Sequence, residues 1–248
     1  MKYAFFIDID GTLICKGHLP DRNVKAIAEA RKAGHYVFIN TGRSKAVVQP
    51  VVKEKIEVDG FVTSLGAYIE VGGKVIHEDC ASKESLEKIY PAIIDYRPLF
   101  GGDTFCIASA DRKIDIPGVA TLTSVDDLPG DTIHKGSMIG RASLETASLI
   151  KEDFELYQHD TYFEFCPKGN SKATGIRRVV EYIGEDDIVT VAIGDSINDI
   201  PMFEGADRCA AMGNAENCVK EMADYVSCDA HLGGVGDAIE HFCRMEDK

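Results

Sequence analysis

Tyr3-Ala4-Phe5-Phe6-Ile7-Asp8-Ile9-Asp10-Gly11-Thr12 sets an unbroken apolar run directly against two carboxylates and a glycine. An apolar run of this length, ended by a turn signal, fits a strand covered on both faces. The glycine lets the chain turn sharply where that strand ends. The same arrangement recurs far along the chain, where Ile188-Val189-Thr190-Val191-Ala192-Ile193 leads into Gly194-Asp195-Ser196-Ile197-Asn198-Asp199. Two carboxylate-bearing strand ends can converge on one divalent cation. A cation beside a carboxylate nucleophile suggests phosphoryl chemistry.

Outward from the first run, strands and helices alternate. The spacing predicts strands over residues 3–9, 36–40 and 60–63, with helices over 21–33 and 45–55, the latter despite Pro50. A hairpin is expected from 68–71 and 75–77 around Gly72-Gly73. From about residue 82 the pattern changes. An amphipathic helix over 82–96 opens with capping residues at Ser82 and Ser85. Strands are expected at 104–108 and 133–139, a helix at 144–152, and strands at 154–157 and 162–165. Short turns between these strands imply an antiparallel sheet. The stretch 114–130, with Pro117, Gly118, Pro129 and Gly130, reads as irregular. Alternation resumes with helices over 172–183, 197–206 and 215–222 and strands over 188–193 and 208–212. Repeated βα units imply a parallel sheet with helices on both faces. The expected fold class is therefore α/β: a Rossmann-like core built from residues 1–81 and 166–248, with a small α+β cap, αββαββ, inserted over 82–165.

Composition narrows the partners. The 248-residue chain is 45% apolar, enough for a full core and room for two domains. Its formal net charge of −14 disfavours nucleic acid and anionic membrane, because both would be repelled. No stretch approaches the roughly 18 apolar residues of a membrane span. The N-terminus enters a strand pattern with no signal-like segment, and the eight cysteines form no CxxC pair. A cytoplasmic protein with reduced cysteines is the expectation.

In open parallel sheets, ligands bind beyond the carboxyl ends of the strands. Three polar clusters fall at such ends: residues 8–12, 41–43 and 195–199. Each alone has an ordinary reading as a turn or helix cap. Together they are a site. Phosphoryl transfer needs an anionic nucleophile, and a carboxylate is one near neutral pH. It needs Mg²⁺ to offset repulsion from the phosphate, and a second carboxylate for proton transfer. A hydroxyl and an ammonium must hold the non-bridging oxygens, and Thr41 and Lys172 can do so. Free N–H groups near Gly11 and Gly42 add donors.

This set resembles the haloacid dehalogenase superfamily, and within it the Cof-like phosphatases, whose large cap lies between the second and third motifs. Asp8-Ile9-Asp10-Gly11-Thr12 is similar to the first motif and Thr41-Gly42-Arg43 to the second. Lys172, in Pro167-Lys168-Gly169-Asn170-Ser171-Lys172, is similar to the third, and Gly194-Asp195-Ser196-Ile197-Asn198-Asp199 to the fourth. Ala211-Met212-Gly213-Asn214-Ala215 and Gly233-Gly234-Val235 resemble the family's C-terminal pattern. The resemblance implies that Asp8 is the nucleophile, passing through an aspartyl-phosphate, and that Asp10 is the general acid and base. It implies that Thr41, Gly42 and Lys172 bind the phosphoryl group. Asp8, Asp10 and Asp195 would hold Mg²⁺, with Asp199 supporting, and Asn198 would assist the metal waters, the lysine or the phosphate. The chain departs from the family at Ser64-Leu65-Gly66-Ala67, where Leu65 stands in place of a polar residue.

The implied activity is a Mg²⁺-dependent phosphatase acting on a small phosphate ester. Candidate specificity groups on the cap are Asp103, His134, Lys135, His159, Tyr162 and Glu164. Lys135 is the foremost of these for an acidic or second phosphate group, and Arg43 is a further possible substrate contact. A short cap with no Trp and few aromatics suits a small sugar or polyol phosphate. A sugar phosphomutase would use the same Asp8 and Mg²⁺. A phospho-aspartate switch of the receiver type would lack both the cap and an acid at Asp10.

Overall fold

The computed structural model describes residues 1–114, 118–129 and 132–244. Its central strand is β1 (Lys2–Ile7), in which every residue after Lys2 is buried. Such a strand needs cover on both faces. α1 (Asp21–Lys32) leads to β2 (Tyr36–Asn40), and α2 (Pro50–Lys55) to β3 (Gly60–Thr63). β4 (Tyr68–Val71) and β5 (Lys74–Glu78) form the hairpin around Gly72-Gly73. The cap follows: α3 (Lys83–Ile93), β6 (Leu99–Gly101), β7 (Cys106–Ser109), β8 (Ala120–Leu122), β9 (Lys135–Ile139), α4 (Leu144–Asp153), β10 (Phe154–Gln158) and β11 (Tyr162–Pro167). The chain then returns through α5 (Lys172–Ile183), β12 (Ile188–Gly194), α6 (Ile200–Glu204), β13 (Arg208–Ala211), α7 (Asn217–Met222), β14 (Tyr225–Val226) and α8 (Gly234–Arg244).

The core sheet has the order β14-β13-β12-β1-β2-β3-β4-β5. Its strands are parallel from β14 to β3, and β4 and β5 complete it antiparallel. β1 lies between β12 and β2, so two strands remote in sequence end beside it. α1 packs against α8 and α5 against α6, which supplies the helical cover. The cap sheet has the order β10-β11-β9-β6-β7-β8 and is antiparallel except for the β7–β8 pair. Each sheet has its own apolar cluster, one around Phe5, Phe6, Phe38 and Phe242, the other around Phe100, Phe154, Phe163 and Phe165. Cys106, Cys166 and Cys209 are buried fillers.

Several expected elements differ. The helix expected over 45–55 is a single 3₁₀ turn, Lys45–Val47, followed by α2. Pro50 takes the first helical turn, where its missing N–H costs nothing, and holds Gln49 extended before it. The helix expected over 197–206 likewise divides into the 3₁₀ turn Ile197–Asp199 and α6, with Pro201 in the first turn. The cap exceeds αββαββ: four strands, not two, separate its helices, because β6 and β8 are only three residues long and show no alternation. β8 falls inside the stretch expected to be irregular; Pro117 and Gly130 of that stretch lie outside the described residues. α8 was not expected, since Gly234 and Gly236 are poor helix formers. Contact with α1 requires one of them: a Cβ on Gly236 would come within 2.9 Å of the Arg22 carbonyl oxygen.

Phe165 is fully buried and packs on Phe154 at 4.6 Å between ring centroids. Phe165→Ala should cost about 3–5 kcal/mol in urea unfolding monitored by a cap-sensitive probe. A cost below about 1 kcal/mol would mean that the second cluster is not a packed core.

Candidate active site

The strand order brings the three polar clusters together. β1, β2 and β12 run parallel and in register, Ile7 opposite both Ile39 and Ile193. Asp8, Thr41 and Asp195 therefore leave the sheet side by side. Lys172 arrives from the first turn of α5, whose N-cap Ser171 accepts a bond from the Thr174 N–H. The Asn40 side chain donates to the Lys172 carbonyl at 3.0 Å and fixes that turn to β2.

At the bottom of the site, the Lys172 ammonium donates to Asp8 Oδ1 at 2.7 Å and to Asp199 Oδ1 at 2.5 Å. All three side chains are buried. Asp199 Oδ2 accepts from the backbone N–H groups of Asp195 and Ser196 at 2.9 and 3.1 Å, so both its oxygens are engaged. Thr12 donates its hydroxyl to Asp195 Oδ1 at 2.6 Å. Gly11 has φ +82° and lies against the Asp195 carboxylate so closely that a Cβ would overlap it. Asn214 ties this turn to the C-terminal half by donating to the Gly11 carbonyl at 2.9 Å and accepting from the Ala230 N–H at 2.7 Å.

Carboxylate oxygens of Asp8, Asp195 and Asp199 lie within 4.8 Å of one another. An all-oxygen set of this kind suits a hard divalent cation. Burial pushes the Asp8 carboxyl up to about 7, with nearby Asp199 and Asp10 adding to the rise and Lys172 opposing it. Burial also pushes Asp195 up to about 6, against the pull of Thr12 and Lys172. Burial works against the Lys172 charge, yet Asp199 and Asp8 hold its pKa well above the ordinary lysine value. Three carboxylates facing one ammonium leave negative charge that a cation would neutralise.

Above lies a cleft of about 580 Å³ lined by both core and cap, including Asp8, Asp10, Thr41, Gly42, Arg43 and Asn198. Thr41 is buried, and its hydroxyl oxygen accepts from the Arg43 N–H at 3.2 Å. Asp10 is half exposed and turned to Arg43, whose Nε and Nη2 donate to it at 2.5 and 2.9 Å. The second turn is braced by Ser64 and Leu65, both at positive φ, which donate backbone bonds to the Arg43 and Thr41 carbonyls at 2.8 and 3.4 Å. Two consecutive non-glycine residues in that region carry strain, and here they hold the loop at the cleft.

Of the cap candidates, Lys135, Tyr162 and Glu164 line the cleft. Lys135 forms a buried ion pair with Glu164 and donates to the Gly42 carbonyl at 2.6 Å. His159 bonds the other Glu164 oxygen at 3.1 Å. Burial alone would raise the Glu164 carboxyl, but Lys135 and His159 outweigh it and hold it near about 2. His134 faces Glu78 at 3.0 Å instead of the cleft, and Asp103 is not among the cleft-lining residues. Sequence reasoning missed Thr12 as the partner of Asp195. It also missed Arg112, which lines the cleft from a stretch with no recognisable pattern.

A profile of the family described as haloacid dehalogenase-like hydrolase matches residues 5–117 and 141–239. The chain is 30% identical to a phosphoglycolate phosphatase of Methanosarcina acetivorans, over 97% of this chain and 96% of that one. It is 29% identical to the 5-amino-6-(5-phospho-D-ribitylamino)uracil phosphatase YcsE of Bacillus subtilis, over 95% and 94%. The solved structure of the subclass IIB sugar phosphatase BT4131 superposes with a TM-score of 0.83 at 25% identity, covering 98% of this chain and 99% of that one.

The raised carboxyls set a pH dependence. A carboxyl whose folded pKa exceeds its unfolded value makes the folded state bind more protons, so stability falls as pH rises between the two values. For Asp8 that window runs from its ordinary 3.8 to about 7. Lys172 does not tilt it, because its contribution is fully present below the ordinary lysine pKa. In chelator, the urea midpoint should therefore fall from pH 5 to pH 7.5, and Asp8→Asn should flatten the fall. A midpoint that rises across this range in wild type would contradict the assignment.

Proposed function

This chain belongs to the haloacid dehalogenase-like hydrolases and is a phosphatase, and from that premise we propose that it is a Mg²⁺-dependent phosphomonoesterase acting on a small phosphorylated metabolite, a sugar or polyol phosphate, through an aspartyl-phosphate. The observation that carries this reading is the Lys172 ammonium held between Asp8 and Asp199 at the floor of a cleft that Asp10 and Thr41 also line. The expected division, core 1–81 and 166–248 around a cap over 82–165, shifts by two residues at its second boundary, because the cap strand β11 runs to Pro167.

Lys172 occupies Asp8 Oδ1, which leaves Oδ2 as the attacking atom. Attack forms an Asp8–phosphorus bond and breaks the bond to the leaving oxygen. Thr41 donates its hydroxyl to a non-bridging oxygen, and the Gly42 turn presents the substrate's phosphate to Asp8. Asp10 gives a proton to the leaving oxygen, then takes one from the water that attacks phosphorus, which releases phosphate and restores Asp8. For this, Asp10 leaves Arg43 and turns into the cleft. Asp8 and Asp195 would hold Mg²⁺ through their carboxylates and Asp10 through its backbone carbonyl, with Asp199 orienting the Asp195 turn through its backbone bonds. When bound, Mg²⁺ supplies charge neutralisation for the phosphate. The cap excludes water from the cleft.

Phosphate release from a panel of sugar, polyol, nucleotide and vitamin phosphates should require Mg²⁺ and stop in chelator. Asp8→Asn should lower kcat by about 10³-fold or more with the fold intact, since the nucleophile is lost and its volume kept. Asp10→Asn should lower it by about 10²–10⁴-fold. Substantial turnover by Asp8→Asn would refute the mechanism. Mg²⁺ should also raise the Tm of wild type, more at pH 7.5 than at pH 5.5 because its ligands must lose their protons, and much less in Asp195→Asn. An equal rise in that variant would remove Asp195 from the metal site.

A further inference from the structure

Among the described residues, four cationic side chains reach the cleft or the carboxylates beneath it. Three are matched: Lys172 by Asp8 and Asp199, Arg43 by Asp10, and Lys135 by Glu164. The fourth, Arg112, lines the cleft from the cap, and its hydrogen bonds among the described residues go only to neutral oxygens. Nη1 donates to the Arg97 carbonyl at 2.9 Å and to the Ser137 carbonyl, and Nη2 donates to Ser137 Oγ at 3.3 Å. These bonds fasten one edge of the guanidinium to the cap sheet. Among the described residues the Nε–H and the adjacent Nη2–H have no partner. That edge presents two parallel donors, the fork that matches the two oxygens of a carboxylate or phosphate.

Arg112 is also partly buried. Burial pushes its pKa below the ordinary arginine value, and no acidic group among the described residues offsets the effect. A partly buried cation with no counter-charge among the described residues is stabilised by an anion that reaches it. The chain as a whole carries −14 and repels anions at long range, so an anionic substrate depends on local cations for its binding. Val47, Leu99 and Ile139 line the same cleft and suit a short carbon chain between two charged ends.

We propose that Arg112 is the specificity-determining residue of the cleft, and that the substrate is a small phosphomonoester bearing a second oxyanion, a carboxylate or a second phosphate. The Nε–Nη2 edge of Arg112 receives that group in bidentate fashion, while the reacting phosphate lies at Asp8 and Thr41. This inference rests on the phosphatase reading of the cleft.

Matched ester pairs test it. 2-Phosphoglycolate is compared with 2-hydroxyethyl phosphate, and fructose 1,6-bisphosphate with fructose 1-phosphate, for wild type, Arg112→Gln and Arg112→Lys with Mg²⁺. The readout is the ratio of kcat/KM between the members of each pair. Wild type should favour the doubly anionic member by about 10- to 100-fold in one pair, the size of a charge-assisted contact, and the pair identifies carboxylate or phosphate. Arg112→Gln should bring that ratio close to one, mainly through KM, and Arg112→Lys should restore part of it. A wild-type ratio near one in both pairs overturns the inference without recourse to any variant, as does a ratio that Arg112→Gln leaves unchanged. Absence of Mg²⁺-dependent phosphate release from all four esters and from acetyl phosphate overturns the phosphatase reading itself, and this inference with it.

Discussion

The buried Lys172 ammonium is the constraint on which the site depends. A lysine with 2% of its surface exposed is tolerable only if anions meet it at close range. Asp8 and Asp199 do so, and each in turn would be an uncompensated buried charge without the lysine. Asp199 cannot shift to accommodate a change, because its second oxygen caps the turn carrying Asp195. One ammonium thus fixes the N-terminal strand, the helix after the cap and the late acidic turn relative to one another.

Sheet order makes that meeting possible. A parallel sheet puts every strand's carboxyl end at the same edge, and the position of β1 between β12 and β2 brings residues 8, 41 and 195 to adjacent ends. The cap inserted before α5 then lies above that edge. Its own apolar cluster packs its sheet, and it meets the core through the Lys135 bond to Gly42 and through a small apolar cluster in which Leu65 and Ala67 meet Cys166, with Tyr157 against them. Lys135 bonds the Gly42 carbonyl, so the cap rests on the turn that carries Thr41.

The sequence made the core legible because burial on both faces leaves unbroken apolar runs, and because each run ends on acids or glycine. Asp8, Thr41, Lys172 and Asp195 could be found from those endings and from family motifs. The elements that escaped notice lack such signals. β6 and β8 are too short for alternation, α8 begins with glycines that only packing against α1 explains, and the proline-broken helices depend on which side of Pro50 and Pro201 the turn falls. Charge partners were the least legible feature. Lys135 stood out as a cation, but nothing in the sequence indicated that Glu164, 29 residues later, would neutralise it across the antiparallel pair of β9 and β11. Arg112 did not stand out, because its importance lies in having no such partner among the described residues.

Pairing also determines what each charged group can do. Asp10 is aimed at Arg43 and not at Asp8, and Gln49 reaches the same carboxylate at 3.4 Å. A carboxylate gripped this way is turned from Asp8, so the proposed proton transfer needs it to change partners. An incoming phosphate carries oxyanions that compete for the Arg43 guanidinium. In the proposed mechanism such an exchange of partners frees Asp10 when phosphate is present and so confines proton transfer to an occupied cleft. Asp10 is half-exposed beside Gly11 at positive φ, while Asp8, Lys172 and Asp199 are buried and bonded to one another beneath it. A fixed floor and one acid able to change partners are what the proposed two-step transfer needs: Asp8 would keep its aim through both steps, and Asp10, which would first give and then take a proton, is the group placed to turn.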